Sequence, residues 1–251
     1  MNKKVCSLLT ACAVAVPALA PAQVYVNETF DYPDTAALLT KWNTPLGLSL
    51  DTEKGNAAPA GAHDGSASAH IWTGSTFSIT PTDAAPLVLS GDLWYSGANN
   101  QRNSLGLRTG ANPLFEIGFY NQGGANGLSV RLLGIGGVSG SWIELVSYTS
   151  LGTGTDNAQW IHVETTFTSK SATVKWDLGA DGSFDGSQTW TGTDNVLAFS
   201  DLRFGGPSAV SSGGGGFAVD NIRLEVVPEP GTAALFGVGL VTLIGLRRRN
   251  K

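Results

Sequence analysis

Phe217-Ala218-Val219-Asp220-Asn221-Ile222-Arg223-Leu224-Glu225-Val226 is the stretch whose reading decides the fold. Successive side chains of a strand point to opposite faces, so Phe217 and Val219 mark one buried face. Ile222 and Leu224 alternate as well, but in the other frame. The slip of one residue falls at Asp220-Asn221, and one extra residue in an otherwise alternating strand predicts a β-bulge there. The stretch therefore reads as a core strand of an antiparallel sheet. The loose run before it, from Gly205 to Gly216, reads as a surface loop rather than a linker, because a core strand follows it.

Upstream, short alternating segments recur with glycine-rich turns between them. Strands are predicted at 24–30, 66–72, 76–80, 87–95, 105–108, 114–120, 128–135, 142–148, 160–168, 172–178, 187–191, 197–204 and 217–226. Asn126-Gly127, Asp181-Gly182 and Gly123-Gly124 supply turn chemistry. One short helix is expected from Asp34 to Trp42, capped by Asp34 or Thr35 and stopped by Pro45. Many short strands without a long helix predict an all-β fold, a two-sheet antiparallel sandwich. There is no internal repeat.

The chain's ends have a different character. Met1-Asn2-Lys3-Lys4, the apolar run 5–16 and the Ala-x-Ala frames ending at Ala20 and Ala22 read as a signal peptide over 1–22, with cleavage before Gln23. Leu9-Thr10-Ala11-Cys12 also fits a lipobox, which would make Cys12 a lipidated N-terminus. Both cysteines, Cys6 and Cys12, lie inside this segment. The processed body then has no disulfide, no thiol nucleophile and no cysteine-based zinc site. The body, 23–226, is long enough for one sizeable core. Setting aside both ends leaves 9 basic and 19 acidic residues, a net charge of −10. That balance argues against nucleic acid as a partner and favours solubility outside the cell.

Residues 227–251 form the third segment. Val227-Pro228-Glu229-Pro230 is stiff and extended, since proline fixes φ and withholds its N–H. An uncharged apolar run follows to Leu246, then Arg247-Arg248-Arg249-Asn250-Lys251. As a helix the apolar run reaches about 24 Å, short of the ~30 Å hydrocarbon core, and the basic cluster would stay cytoplasmic. This order of motif, apolar helix and basic stop resembles the PEP-CTERM protein-sorting signal. The resemblance implies processing by an exosortase, a membrane-embedded protease, after export through signal peptidase. It also implies transient anchoring in the inner membrane, delivery to the cell surface or outside, and an association with exopolysaccharide or biofilm.

Glu28-Thr29-Phe30-Asp31 at the start of the body and 217–225 at its end resemble concanavalin-like jelly rolls. Trp160-Ile161-His162-Val163-Glu164 with Ala172-Thr173-Val174-Lys175-Trp176 is similar to laminin-G-type strands. The resemblance implies a jelly-roll sandwich whose first and last strands pair. It also implies a structural calcium where they meet, held by Glu28, Asp31 and Asp220. A second acidic run, Asp177 to Asp185, approximates a calcium loop but has Gly179 at position three and Gln188 at twelve, where a bidentate Glu is expected, so a β-hairpin turning at Asp181-Gly182 is preferred.

Catalytic motifs are missing. There is no Glu-x-Asp-x-Glu run of the kind found in glycosidases of this fold and no Gly-x-Ser-x-Gly elbow, while Glu116, Glu144 and Glu164 stand one per strand. His63, His70 and His162 match no metal-ligand spacing. The remaining lead is aromatic. Alternation predicts Trp142, Glu144 and Tyr148 on one face of a strand, and Trp160, His162 and Glu164 on one face of another. Indoles beside hydrogen-bonding carboxylates suit sugar rings, although tryptophans in a sandwich more often fill the core. The reading is a non-enzymatic surface or matrix protein. Its alternatives are a lectin-like polysaccharide-binding module or, third, a glycan-cleaving enzyme.

Overall fold

The computed structural model describes residues 21–43, 48–49, 58–59, 69–110, 112–133, 139–193, 198–206 and 218–228. In chain order the elements are β1 (Gln23–Glu28), α1 (Thr35–Leu38), β2 (Trp42–Asn43), β3 (Leu48–Ser49), β4 (Ala58–Pro59), β5 (Ala69–Trp72), β6 (Leu87–Tyr95) and β7 (Asn103–Thr109). Then follow β8 (Asn112–Tyr120), β9 (Gly127–Leu133), β10 (Ser139–Ser147), α2 (Tyr148–Leu151), β11 (Gln159–Phe167), β12 (Ser171–Leu178), β13 (Gly186–Thr191), β14 (Asp201–Gly205) and β15 (Val219–Val226). The signal segment to residue 20, Phe217 and the tail from Glu229 lie outside the described residues. Among the described residues no helix is long and apolar enough to cross a membrane.

The fold is an all-β, two-sheet antiparallel jelly-roll sandwich. One sheet has the order β1-β15-β6-β11-β12-β13, the other β10-β9-β8-β7-β14-β5-β2, and β3 and β4 form a separate ribbon. As the sequence predicts, the first strand pairs antiparallel with the last, with Gln23 opposite Val226 and Glu28 opposite Ile222. The predicted bulge is also present. The register between β15 and β6 shifts between Asp220 and Arg223, and Asn221 takes the left-handed conformation with φ 51°.

Alternation sorts the side chains as a two-layer core requires. Leu87, Leu89, Leu93 and Tyr95 of β6 point inward with Ile161, Val163 and Phe167 of β11. They meet Leu105, Leu107, Phe115, Ile117, Phe119 and Phe204 from the other sheet. Val88, Ser90, Asp92 and Trp94 point the other way and are half-exposed.

Two sequence expectations are corrected. The helix ends at Leu38, with Asp34 as its cap accepting from the Ala37 amide at 2.8 Å. Trp42 belongs to β2 and is fully buried, paired with Trp72, stacked on Phe30 and edge to face with Phe204, which removes its large apolar ring from water. Segment 76–80 contributes only an isolated bridge, Ile79 to Phe199.

Candidate functional site

The register of the six-stranded sheet lines up one polar row across four strands. Asp220 of β15 stands opposite Asp92 of β6, Asp92 opposite His162 of β11, and His162 opposite Asp177 of β12. Directly opposed residues share a face, so this row lies on the side turned away from the core. Further along the same face Trp94 stands opposite Trp160, their rings 5.3 Å apart and edge to face. Asp92, His162, Asp177, Ala180, Gly182 and Phe184 enclose an open cleft of about 300 Å³.

Each group in the cleft is held. His162 Nδ1 and Asp92 Oδ1 lie 2.6 Å apart, and the other Asp92 oxygen accepts from Asn221 Nδ2 at 2.7 Å. The hydrogen bond to Asp92 raises the His162 pKa above the ordinary value, against the opposing effect of burial. Asp177 is buried, and its carboxylate accepts from the Asp181 and Gly182 amides at 3.2 and 2.7 Å. Asp185 accepts from the Leu178 amide at 2.6 Å. These bonds fold 177–185 into the connection between β12 and β13, as the hairpin reading predicts, with carboxylates capping amides of the turn. The rigid turn presents Phe184 at the lip of the cleft, 44% exposed, its centroid 5.0 Å from Lys175 Nζ and 6.2 Å from the His162 ring. Lys175 pairs with Glu164 at 2.8 Å.

The six residues proposed for glycan contact divide between two sheets. Trp160, His162 and Glu164 share the open face just described, all half-exposed. Trp142 and Glu144 lie on β10, at the edge of the other sheet. There Trp142 stacks on Tyr120 with centroids 4.5 Å apart, and exposed Glu144 accepts from the Asn126 amide at 2.8 Å. Tyr148 does not join them. A register shift between Glu144 and Val146 breaks the alternation, the strand ends at Ser147, and Tyr148 enters α2. It is buried between Tyr95 and Phe119, with its hydroxyl donating to the Gln101 carbonyl at 2.5 Å, and burial raises its pKa.

The expected calcium set does not gather. Glu28 is buried, and its carboxylate accepts from the Phe30 amide at 2.8 Å, Trp42 Nε1 at 3.2 Å and the Tyr32 hydroxyl. Exposed Asp31 accepts from the Thr29 hydroxyl. Asp220 is pushed up to about 6, first by burial and then by the charges of Asp92, Asp31 and Glu28, despite its bond to the Asn221 amide. Among the described residues no three His, Cys, Asp or Glu side chains converge to hold a metal ion. Of the three, Glu28 has both carboxylate oxygens engaged by protein donors.

Of the remaining sequence candidates, His70 is buried against Phe204, and burial followed by the Arg203 charge pushes its imidazole down to about 4. His63 lies outside the described residues. Glu116 is buried on the far face of the seven-stranded sheet, where Arg203, Gly106, Glu116 and Arg131 stand in one cross-strand row. Arg203 donates to Glu116 across Gly106, and Arg131 lies 3.5 Å from the same carboxylate. A Cβ at position 106 would come within 2.6 Å of the Phe115 carbonyl, so only glycine leaves that row open. This is a structural ion pair, buried and paired as such charges must be.

Sequence reasoning missed Asp92, Trp94 and Phe184. Phe184 had a local signal, an aromatic side chain inside a Gly-Ser-Phe-Asp turn with no strand to bury it. Asp92 and Trp94 had none, because their place beside His162 and Trp160 follows from strand order.

Residues 226–249 match the PEP-CTERM protein-sorting motif. The motif marks an exported protein handled by an exosortase and held in the membrane before processing. No curated protein matches the chain. Among solved structures, the fold is similar to the CBM2 module of the evolved Dit of Lactobacillus casei BL23 phage J-1. That match has 12% identity over 82% of this chain and 96% of that one, with a TM-score of 0.50. Arcelin-5, a lectin-like defense protein from Phaseolus vulgaris, is similar at 8% identity over 82% of this chain and 99% of its own, TM-score 0.45. The alginate lyase from Klebsiella pneumoniae is similar at 11% identity over 76% and 85%, TM-score 0.42. At these identities the likeness concerns the fold.

Proposed function

We propose that this chain with its PEP-CTERM motif is a non-enzymatic, surface- or matrix-directed protein that binds extracellular polysaccharide on the open face of its six-stranded sheet. In this reading 1–22 is removed on export, 23–226 is the binding module, and 227–251 is the tail cut by the exosortase. The observation that carries the proposal is the placement of Trp160, His162 and Glu164 outside the core, beside a cleft lipped by exposed Phe184. An exposed ring offers apolar area to the C–H face of a sugar, while half-exposed His162 and Glu164 offer polar partners to its hydroxyls. Fold alone does not choose a ligand, so the cleft is the argument. Trp142 and Glu144 belong to a separate face and are not needed by this site. The association with exopolysaccharide or biofilm is part of the proposal.

The test is affinity electrophoresis in gels cast with the producer's own extracellular polysaccharide, alongside melting curves. Phe184→Ala should weaken retardation by about tenfold, a little over 1 kcal/mol of stacking, with an unchanged melting temperature. Trp160→Ala should weaken it as well, at a stability cost below the ~3–5 kcal/mol of a core tryptophan. Unchanged retardation of both variants would remove the site, and release of reducing sugars during incubation would replace binding by cleavage.

A further inference from the structure

We infer that one end of the sandwich is built to rest on the membrane while the tail is anchored, and that the opposite end carries the cleft outward. The inference rests on the membrane segment of the proposed sorting tail, but not on the identity of any ligand.

The argument is one of strand direction and chain length. β15 ends at Val226, and the next amide, that of Val227, donates to the Pro86 carbonyl at 3.0 Å, so the chain is pinned to the body up to the motif itself. Only four residues, 228–231, separate that anchor from the apolar run that begins at Thr232. Fully extended they span at most about 14 Å. A body this close to its own membrane segment cannot turn freely about it.

The chain's other end leaves from the same place. Gln23, the first residue after the predicted signal cleavage, is paired with Val226. Both membrane-directed segments therefore exit one end of one sheet, and an orientation that satisfies one satisfies the other. The side chains at this end agree with the placement. Four large hydrophobic residues are exposed among the described residues, and two of them, Val24 at 44% and Val227 at 37%, flank this exit. The other two are Phe184 in the cleft and Leu39 after α1.

The same register fixes what points away. Leu87 pairs with both Val226 and Phe167 at the tail end, and the connection between β11 and β12, with Lys170, lies there too. Trp94 and Trp160 are seven residues farther along their strands, about 23 Å, and the Asp92–His162 pair is five residues along, about 17 Å. The turn carrying Phe184 lies at that far end of β12 and β13. While anchored, the protein thus holds its aromatic cleft away from the bilayer, open to whatever occupies the space outside, with the exposed valines and the sorting motif at the lipid surface.

Site-directed labelling tests this on the chain as it stands after the proposed signal cleavage, Gln23 to Lys251, which has no cysteine of its own, so that the label is unique and the tail is its one long apolar segment. Lys170→Cys and Ser183→Cys place an environment-sensitive fluorophore at the two ends, both on exposed positions. Each variant is reconstituted in phosphatidylcholine vesicles containing a headgroup-attached quencher. Flotation with the vesicles reports whether the tail inserts, and quenching reports orientation. The expected result is flotation of both, with quenching at position 170 several-fold stronger than at 183. Equal quenching, or stronger quenching at 183, overturns the orientation while leaving the anchor intact. Failure to float overturns the anchor and this inference with it, whereas loss of polysaccharide retardation in the preceding experiment would not touch either result.

Discussion

His162 shows how much one residue's chemistry depends on its cross-strand neighbour. Alone on a surface strand it would titrate near 6.5. Opposite Asp92, at 2.6 Å, its protonated form is favoured and its pKa is raised. The sign of the linkage follows. A raised folded-state pKa contributes stability that is fully present below the unfolded value near 6.5, and this is lost as pH rises through the folded-state value. Following the His162 ring protons by NMR should give a midpoint above 6.5 in the native protein. Asp92→Asn should bring it down, since burial is then opposed only by the charges of Glu164 and Asp177. A midpoint indifferent to Asp92→Asn would mean that the contact does not set the charge in the cleft. Asp177 makes a complementary point. Its carboxylate is occupied with turn amides, so it shapes the lip carrying Phe184.

At the scale of elements, β15 is where a sequence irregularity reaches the polar row of the open face. The bulge at Asp220-Asn221 puts Asn221 at φ 51°, a conformation that asparagine tolerates and β-branched residues do not. It also lets Asn221 Nδ2 reach Asp92, fixing the carboxylate that holds His162. Asn221→Val should therefore cost about 1–3 kcal/mol in denaturant unfolding. Asn221→Gly relieves the backbone and should cost less, yet both should lower the His162 midpoint or broaden its titration by freeing Asp92. Equal stability of the valine and glycine variants would show that the bulge relaxes in solution. β10 teaches the reverse lesson. Its shift between Glu144 and Val146 has no apolar frame slip as obvious as that in 217–226, so unbroken alternation was expected and Tyr148 was placed on the wrong face.

At the scale of the molecule, the pairing of β1 with β15 joins folding to sorting. The last core strand runs directly into Val227-Pro228, so the body must be assembled up to the motif's first residues. Processing should yield a mature protein that ends near Pro228-Glu229-Pro230, and intact-mass measurement of released material is the check. Peptides from 231–246 in that material would show a retained anchor. Disruption of the pairing should have a second effect. Val26→Asp, which buries a charge at a core position of β1, should unfold the body and abolish polysaccharide retardation while leaving membrane association of the chain from Gln23 to Lys251 intact. Loss of membrane association in that variant would mean that the tail alone does not anchor.

Sequence by itself determined whatever depends on near neighbours along the chain. Period-two alternation gave the strands, the frame slip gave the bulge, Asp34 gave the helix cap, and the motif, apolar run and arginines gave the sorting tail. Tertiary structure alone decided which strands lie side by side, and with that every long-range relation in the site. Asp92 and His162 are separated by 70 positions, and Asn221 and Asp92 by 129, so no local period links them. The surroundings of the carboxylates expected to hold calcium were equally invisible along the chain. The sequence lists carboxylates, but only packing reveals that Glu28 is already satisfied by Trp42, Tyr32 and the Phe30 amide. A strand's pattern tells which face a side chain takes, whereas sheet order, set by burial of the whole core at once, tells what it meets there.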